Sequence, residues 1–142
     1  MSMIVVCGPN YGKVPVDLQK YITQAVHSYA QQLKINKFKY TLYVHVHNKT
    51  LLDREDGIEG EIEPQGDRKF RIDICLFGNW LTTLAHEMVH LKQYLRKEID
   101  WNLSAWKGKD YDNSDYWNAP WEIEARKFQT KLFNTFIEQE PL

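Results

Sequence analysis

Residues 69 to 94 read KFRIDICLFGNWLTTLAHEMVHLKQY, and two periodicities meet inside them. The segment KFRIDICLF (69 to 77) alternates, with Phe70, Ile72, Ile74 and Leu76 on one face, as a strand does when one side is buried. From Trp80 onward the apolar residues recur at helical spacing. Trp80, Leu84, Met88, Leu91 and Leu95 form one arc of a helix expected to run to about Lys97, with Asn79 placed to cap it. His86 and His90 stand one turn apart and well off that arc, and Glu87 lies near its edge. The helix is therefore expected to bury one side and offer the histidine pair on another. Two imidazoles at i and i+4 are close enough to share one ion, and a carboxylate between them can reach a water on that ion.

Upstream, GIEGEIEP (57 to 64) alternates as well, and the turn-rich PQGD that follows reads as the junction of a hairpin with residues 69 to 77. Before it, YTLYVHVHN (40 to 48) puts Leu42, Val44 and Val46 on one face and Tyr43, His45 and His47 on the other. A first helix is expected from Asp17 as N-cap, with Leu18, Ile22, Ala25 and Tyr29 at helical spacing and Val26, Ala30 and Leu33 beside them. MIVVC (3 to 7) reads as a buried strand ended by Gly8, Pro9, Asn10 and Gly12. The GPNYGK stretch is no P-loop, because it is a residue short between its glycines and Val14 follows Lys13 where a hydroxyl is needed. Downstream, a polar, aromatic-rich connection (98 to 118) leads to Pro120, near the start of a last helix running to about Gln139. The order is strand, helix, three strands, helix, helix. It implies one α+β domain over residues 1 to 142, with a small mixed four-stranded sheet and three main helices. The first helix and the histidine helix are expected on one face of the sheet.

A catalytic zinc site takes three protein ligands and keeps a position for water, so a third donor is required. PWEIEAR (120 to 126) supplies the candidates. Glu122 and Glu124 are about 200° apart around a helix, so one of them at most faces the metal. Trp121, Ala125, Phe128, Leu132, Phe133 and Phe136 form the buried arc of this helix; Glu122 falls within it, and Glu124 lies on the flank with Lys127 and Lys131. A carboxylate turned toward a core must be paired or metal-bound. Glu122 is therefore the expected third ligand and Glu124 a solvated residue paired with a lysine of its own helix.

HEMVH, the sheet-then-helix order before it and the PWEIEA helix after it together resemble the small HExxH-plus-Glu zincin metallopeptidases (gluzincins), most of all the compact minigluzincins and the short metallopeptidase-like proteins of tailed phages. The resemblance implies one zinc ion per chain held by His86, His90 and Glu122. It also implies a peptide-bond hydrolase in which Glu87 is the general base toward a zinc-bound water. In one respect the chain departs from the pattern: Arg126 stands where an aspartate four residues after the ligand glutamate usually supports a ligand histidine. That support must come from elsewhere. A zincin-like scaffold that holds zinc without turnover is the alternative that this departure favours. A SprT-like protease of DNA-bound proteins is a further alternative, which shares only HExxH with this chain.

Other residues have plainer readings. His45 and His47 point the same way and read as a strand face, with a second metal pair or a cleft-lining role as alternatives. His27 lies beside the apolar stripe of the first helix and is expected to be structural. Cys7 and Cys75, the only two cysteines, are expected to be buried reduced thiols; capping of the zinc by Cys7 is the minor reading. In the 98 to 118 connection, Trp106 and Trp117 are candidate walls of a substrate cleft and Tyr111 or Tyr116 a candidate oxyanion donor, against the reading that these aromatics pin a long loop.

A net charge of −1 disfavours a general nucleic-acid binder, and no apolar run approaches membrane-spanning length. The start, MSMIVVCGPN, lacks a basic region followed by a long apolar core, so an intracellular protein is expected; a peptide or protein substrate is what the resemblance implies. Between residues 50 and 68 seven acidic residues face two arginines, and Glu59, Glu61 and Glu63 share one face of the expected strand. In zincins such a strand commonly forms the upper rim of the cleft. That resemblance gives these glutamates a role in selecting basic substrates; the competing reading is charge that keeps a sheet edge from aggregating.

Overall fold

The computed structural model describes residues 2–8, 14–47, 60–76, 78–100, 105–110 and 118–140. Two apolar, alternating strands, β2 (Thr41–His47) and β4 (Lys69–Cys75), lie side by side in parallel at the centre of a sheet. Strand β1 (Met3–Cys7) adds in parallel outside β2, and β3 (Gly60–Gly66) adds antiparallel outside β4, giving the order β1-β2-β4-β3. Helix α1 (Val16–Gln32) connects β1 to β2, α2 (Trp80–Leu95) follows β4, and α3 (Pro120–Gln139) closes the described chain. The α+β fold with a four-stranded mixed sheet and three helices is thus as expected. No helix among the described residues is long and apolar enough to cross a membrane.

The alternation of β2 and β4 sorts the sheet into two faces. Leu42, Val44 and Val46 join Phe70, Ile72 and Ile74 in a core completed by α1, α2 and α3. Phe136 ties α3 to α1, its ring 5.0 Å from that of Tyr21 and 5.9 Å from that of Tyr29, while the Tyr29 hydroxyl donates to the Leu81 carbonyl of α2 at 3.0 Å. One buried phenol and one buried phenyl thereby fix the relative placement of three helices. Gly8 closes β1 against β2 with φ +136°, and a Cβ there would stand 2.5 Å from the Val46 carbonyl oxygen, so only glycine fits.

Several boundaries differ from expectation. Pro15, not Asp17, is the N-cap of α1; Asp17 sits in the first turn, where its charge still suits the helix dipole. The hairpin turns at Asp67 and Arg68, with Gly66 paired to Lys69 and a bulge between Pro64 and Gly66. Pro64 is tolerated inside β3 because this is an edge strand. Residues 57 to 59 of the expected strand lie outside the described residues. A short hairpin, β5 (Ala105–Trp106) and β6 (Lys109–Asp110), was not anticipated in the 98 to 118 connection. Lys107 and Gly108, both at positive φ, turn it in the manner of a type I′ loop.

On the sheet face away from the helices, Asp73 is buried to 6% exposure and accepts from Arg71 through two hydrogen bonds of 2.9 Å and from His47 Nε2 at 2.7 Å. Burial pushes the Asp73 carboxyl up, but the bonds and charges of Arg71 and His47 outweigh it and hold the group below the ordinary carboxylate range. A depressed folded-state pKa contributes stability that is complete above the unfolded value and is lost as pH falls through the folded one. Asp73→Asn is expected to cost about 1–2 kcal/mol at pH 7, Arg71 being partly exposed, and to cost less in strong acid. Urea unfolding at the two pH values checks this, and equal midpoints at pH 7 would remove the ion pair from the account of stability.

Candidate metal centre

The buried residues of α2 include not only Leu84, Met88 and Leu91 but also Ala85, Glu87, Val89, His90 and Gln93. The expectation of a helix with one buried side is therefore wrong. The cause is α3, which packs along the side that carries the histidines. Trp121, at 1% exposure, anchors the first turn of α3, and the next residue delivers its carboxylate to α2.

The Glu122 carboxylate, 4% exposed, lies with one oxygen 2.9 Å from His90 Nε2 and the other 3.1 Å from His86 Nε2. The two Nε2 atoms are 3.2 Å apart. His86, His90 and Glu122 each offer one donor atom within 4.8 Å of the others, and among the described residues no other group of three His, Cys, Asp or Glu side chains is so placed. The structure thus brings together the expected triad.

The far sides of both imidazoles are held by amides. Gln129 Oε1 accepts from His86 Nδ1 at 2.7 Å, and Gln93 Oε1 accepts from His90 Nδ1 at 2.8 Å. The orientation of Gln93 follows from its other end, where Nε2 donates to the Trp121 carbonyl at 2.9 Å and to Glu124 at 3.1 Å. With Nδ1–H committed to oxygen acceptors, each Nε2 is left to face the Glu122 carboxylate: protonated it donates to that carboxylate, and deprotonated it offers a lone pair to a cation at the same point. Such a set is complementary to a cation. Two imidazole nitrogens and a carboxylate oxygen suit zinc and related first-row divalent ions.

These amides fill the place left by Arg126 and were not anticipated. Their spacing was a usable signal, since Gln93 is three residues beyond His90 and Gln129 is two turns beyond Glu122 on the same face of α3. Glu124 also differs from expectation. It pairs across helices with Lys92 at 2.8 Å and with Gln93, not with Lys127 or Lys131. Its flank of α3 faces α2, so the solvated position assumed for it does not exist.

Glu87, 7% exposed, sits between the two histidines in sequence but is not one of the three converging donors. Burial pushes its carboxyl above the ordinary range; Glu122 and Glu61 add to the rise while the two histidines oppose it. For His90, burial disfavours the charged ring. The hydrogen bond to Glu122 and the charges of Glu87 and Glu122 outweigh this and raise it to about 9, a measure of how negative the centre is.

Strand β3 runs beside α2. A Cβ on Gly60 would stand 2.8 Å from Thr83 Cγ2, one turn before Glu87, so the strand passes close over the helix. Among the described residues β3 pairs only with β4 and forms an edge of the sheet. Glu61 is half-buried, and Glu63 is exposed opposite Arg71. Glu59, Tyr111, Tyr116 and Trp117 lie outside the described residues. Trp106 packs with Ile99, Ala119 and Trp121, the pinning arrangement, and Lys107 lies over its ring at 5.1 Å. His47 is engaged with Asp73, and among the described residues neither His45 nor His47 belongs to a three-donor group. His27 is exposed, contrary to the structural role expected of it. Cys7 is half-buried on β1, separated from the β3 edge by two strands, and Cys75 is buried; both are free thiols. No protein-family model, curated protein or solved structure matches this chain.

Competition with a chromophoric chelator is expected to rank the variants. Glu122→Ala abolishes tight divalent-metal binding, Gln93→Leu and Gln129→Leu weaken it by about 10–100-fold, and Glu124→Ala weakens it least. Full occupancy in Glu122→Ala would overturn the assignment of the donors.

Proposed function

We propose that the chain is a zinc-dependent peptidase, one zincin-like domain over residues 1 to 142, with a single zinc ion held by His86, His90 and Glu122. The observation that carries this reading is Glu87, a buried carboxyl with a raised pKa next to three converging donors and not among them. A structural metal site has no use for such a group. When bound, zinc supplies the Lewis acid that acidifies water and polarises a carbonyl oxygen.

The chain's own residues do the rest. Gln93 and Gln129 hold the imidazoles so that both Nε2 atoms face Glu122. A carboxyl with a raised pKa is suited to both halves of a proton transfer, so Glu87 takes a proton from the attacking water and returns it to the nitrogen of the departing amine. Strand β3 supports the choice of a peptide substrate, since it is an edge strand of the sheet among the described residues and runs beside α2, where it offers main-chain groups to an extended chain. Glu61 and Glu63 give that rim an acidic character that favours basic side chains. Tyr111 or Tyr116 is proposed to donate to the oxyanion.

Glu87→Gln is expected to keep fold and zinc while losing peptide hydrolysis by about 100-fold or more, because the amide preserves shape and accepts no proton. Metal analysis and cleavage of an unstructured protein substrate are measured on both forms. Equal turnover would overturn the mechanism, and zinc binding without cleavage in either form would make the protein a zinc-holding scaffold.

A further inference from the structure

Strand β3 follows α2 beyond the metal donors. Gly60 is against Thr83, one turn before Glu87, and Pro64 pairs with Phe70, whose ring lies 5.8 Å from that of Tyr94. At the far end of this track is a cavity of about 430 Å³ with Phe70, Tyr94, Leu95, Ile99 and Ala105 among its walls. Tyr94 is seven residues beyond Glu87 and so lies on the same side of the helix two turns on. Tyr94 thus links the side of the helix that bears Glu87 to the wall of the cavity.

The charged groups around the cavity come in both signs, Arg68 and Lys97 against Asp67, Glu98 and Asp100. Glu98 is engaged by Lys92 at 2.7 Å, and Arg68 donates to the Lys39 carbonyl at 3.2 Å. No net field is left to select a charged ligand, and the aromatic and aliphatic walls select an apolar one.

We propose that this cavity is a specificity pocket for a bulky apolar side chain, aromatic above all, of an extended peptide lying along β3. The inference rests on the peptidase reading for its substrate class. From Glu87 to Tyr94 the helix advances about 10 Å at 1.5 Å per residue. An extended chain covers that in about three residues. The pocket therefore reads the residue about three positions from the bond that is cut.

The test uses zinc-loaded Glu87→Gln to prevent turnover and fluorescent Ser/Gly decapeptides carrying one Trp, Phe, Lys, Asp or Ser at a central position. Anisotropy is expected to show Trp and Phe peptides binding about tenfold or more tighter than the Ser peptide. Ala105→Phe, or the milder Ala105→Leu, fills the pocket and is expected to remove that preference with zinc affinity unchanged. Equal affinity for all peptides, or a preference that survives both filling variants, overturns the pocket. In the Glu87 protein, mass spectrometry is expected to place the cut about three residues from the aromatic. Aromatic binding without cleavage keeps the pocket and removes the peptidase, whereas cleavage indifferent to the aromatic keeps the peptidase and removes the pocket.

Discussion

A carboxylate buried between two imidazoles is the constraint on which the arrangement depends. Glu122 is 4% exposed, and a buried charge without compensation costs several kcal/mol, about 3–5 when a pair is broken. The compensation is geometric before it is electrostatic. Helices α2 and α3 must hold three donor atoms within 4.8 Å, so they cannot slide or rotate past one another by a residue. Trp121 fixes one end of α3 and Phe136 the other, and the polar interior between them is bonded by Gln93 and Gln129. Apolar contacts alone would tolerate small shifts of a helix. The hydrogen-bonded imidazoles do not.

The two carboxyls of the centre are differentiated by their surroundings. Glu122 lies between two imidazole nitrogens, while Glu87 is raised chiefly by burial and, in part, by the charges of Glu122 and Glu61. Environments that push two titratable groups apart separate the group that binds from the group that transfers protons. A strand and two helices are needed for this division. In the proposed reading α3 supplies the anion that would bind, α2 the carboxyl that would transfer a proton, and β3 further negative charge beside it.

Much of this was legible in the sequence, because periodicity reports burial directly. The alternation of Leu42, Val44 and Val46 and of Phe70, Ile72 and Ile74 marked the central strands and their core face, and α3 begins and ends at the expected residues. Glu122 was distinguishable from Glu124 by its position within an apolar arc. What a helical wheel cannot report is a second neighbour. Helix α2 packs against the sheet and against α3 together, so its polar residues are buried, and Glu124 finds Lys92 and Gln93 on the facing helix. Amides report less: Gln129 meets its imidazole only across the helix interface, and Gln93, three residues beyond His90 on the same helix, is buried only because α3 covers it. The hairpin at Lys107 and Gly108 was missed because strands of two residues show no period.

Strand β3 joins the metal centre to the cavity at its far end and changes character along its length. From Gly60 to Glu63 its register with β4 is regular, beside Thr83 and Glu87. At Pro64 the chain has no N–H to offer, and between Pro64 and Gly66 the register breaks. A peptide added at this edge could make main-chain hydrogen bonds only over the first part, close to the carboxyl that would move the proton. Beyond the bulge the backbone has little to give, and recognition passes to side chains around Phe70 and Tyr94. The same proline and bulge that make the edge a poor template for aggregation would thereby confine backbone pairing to the reacting segment and leave selectivity to a pocket further along.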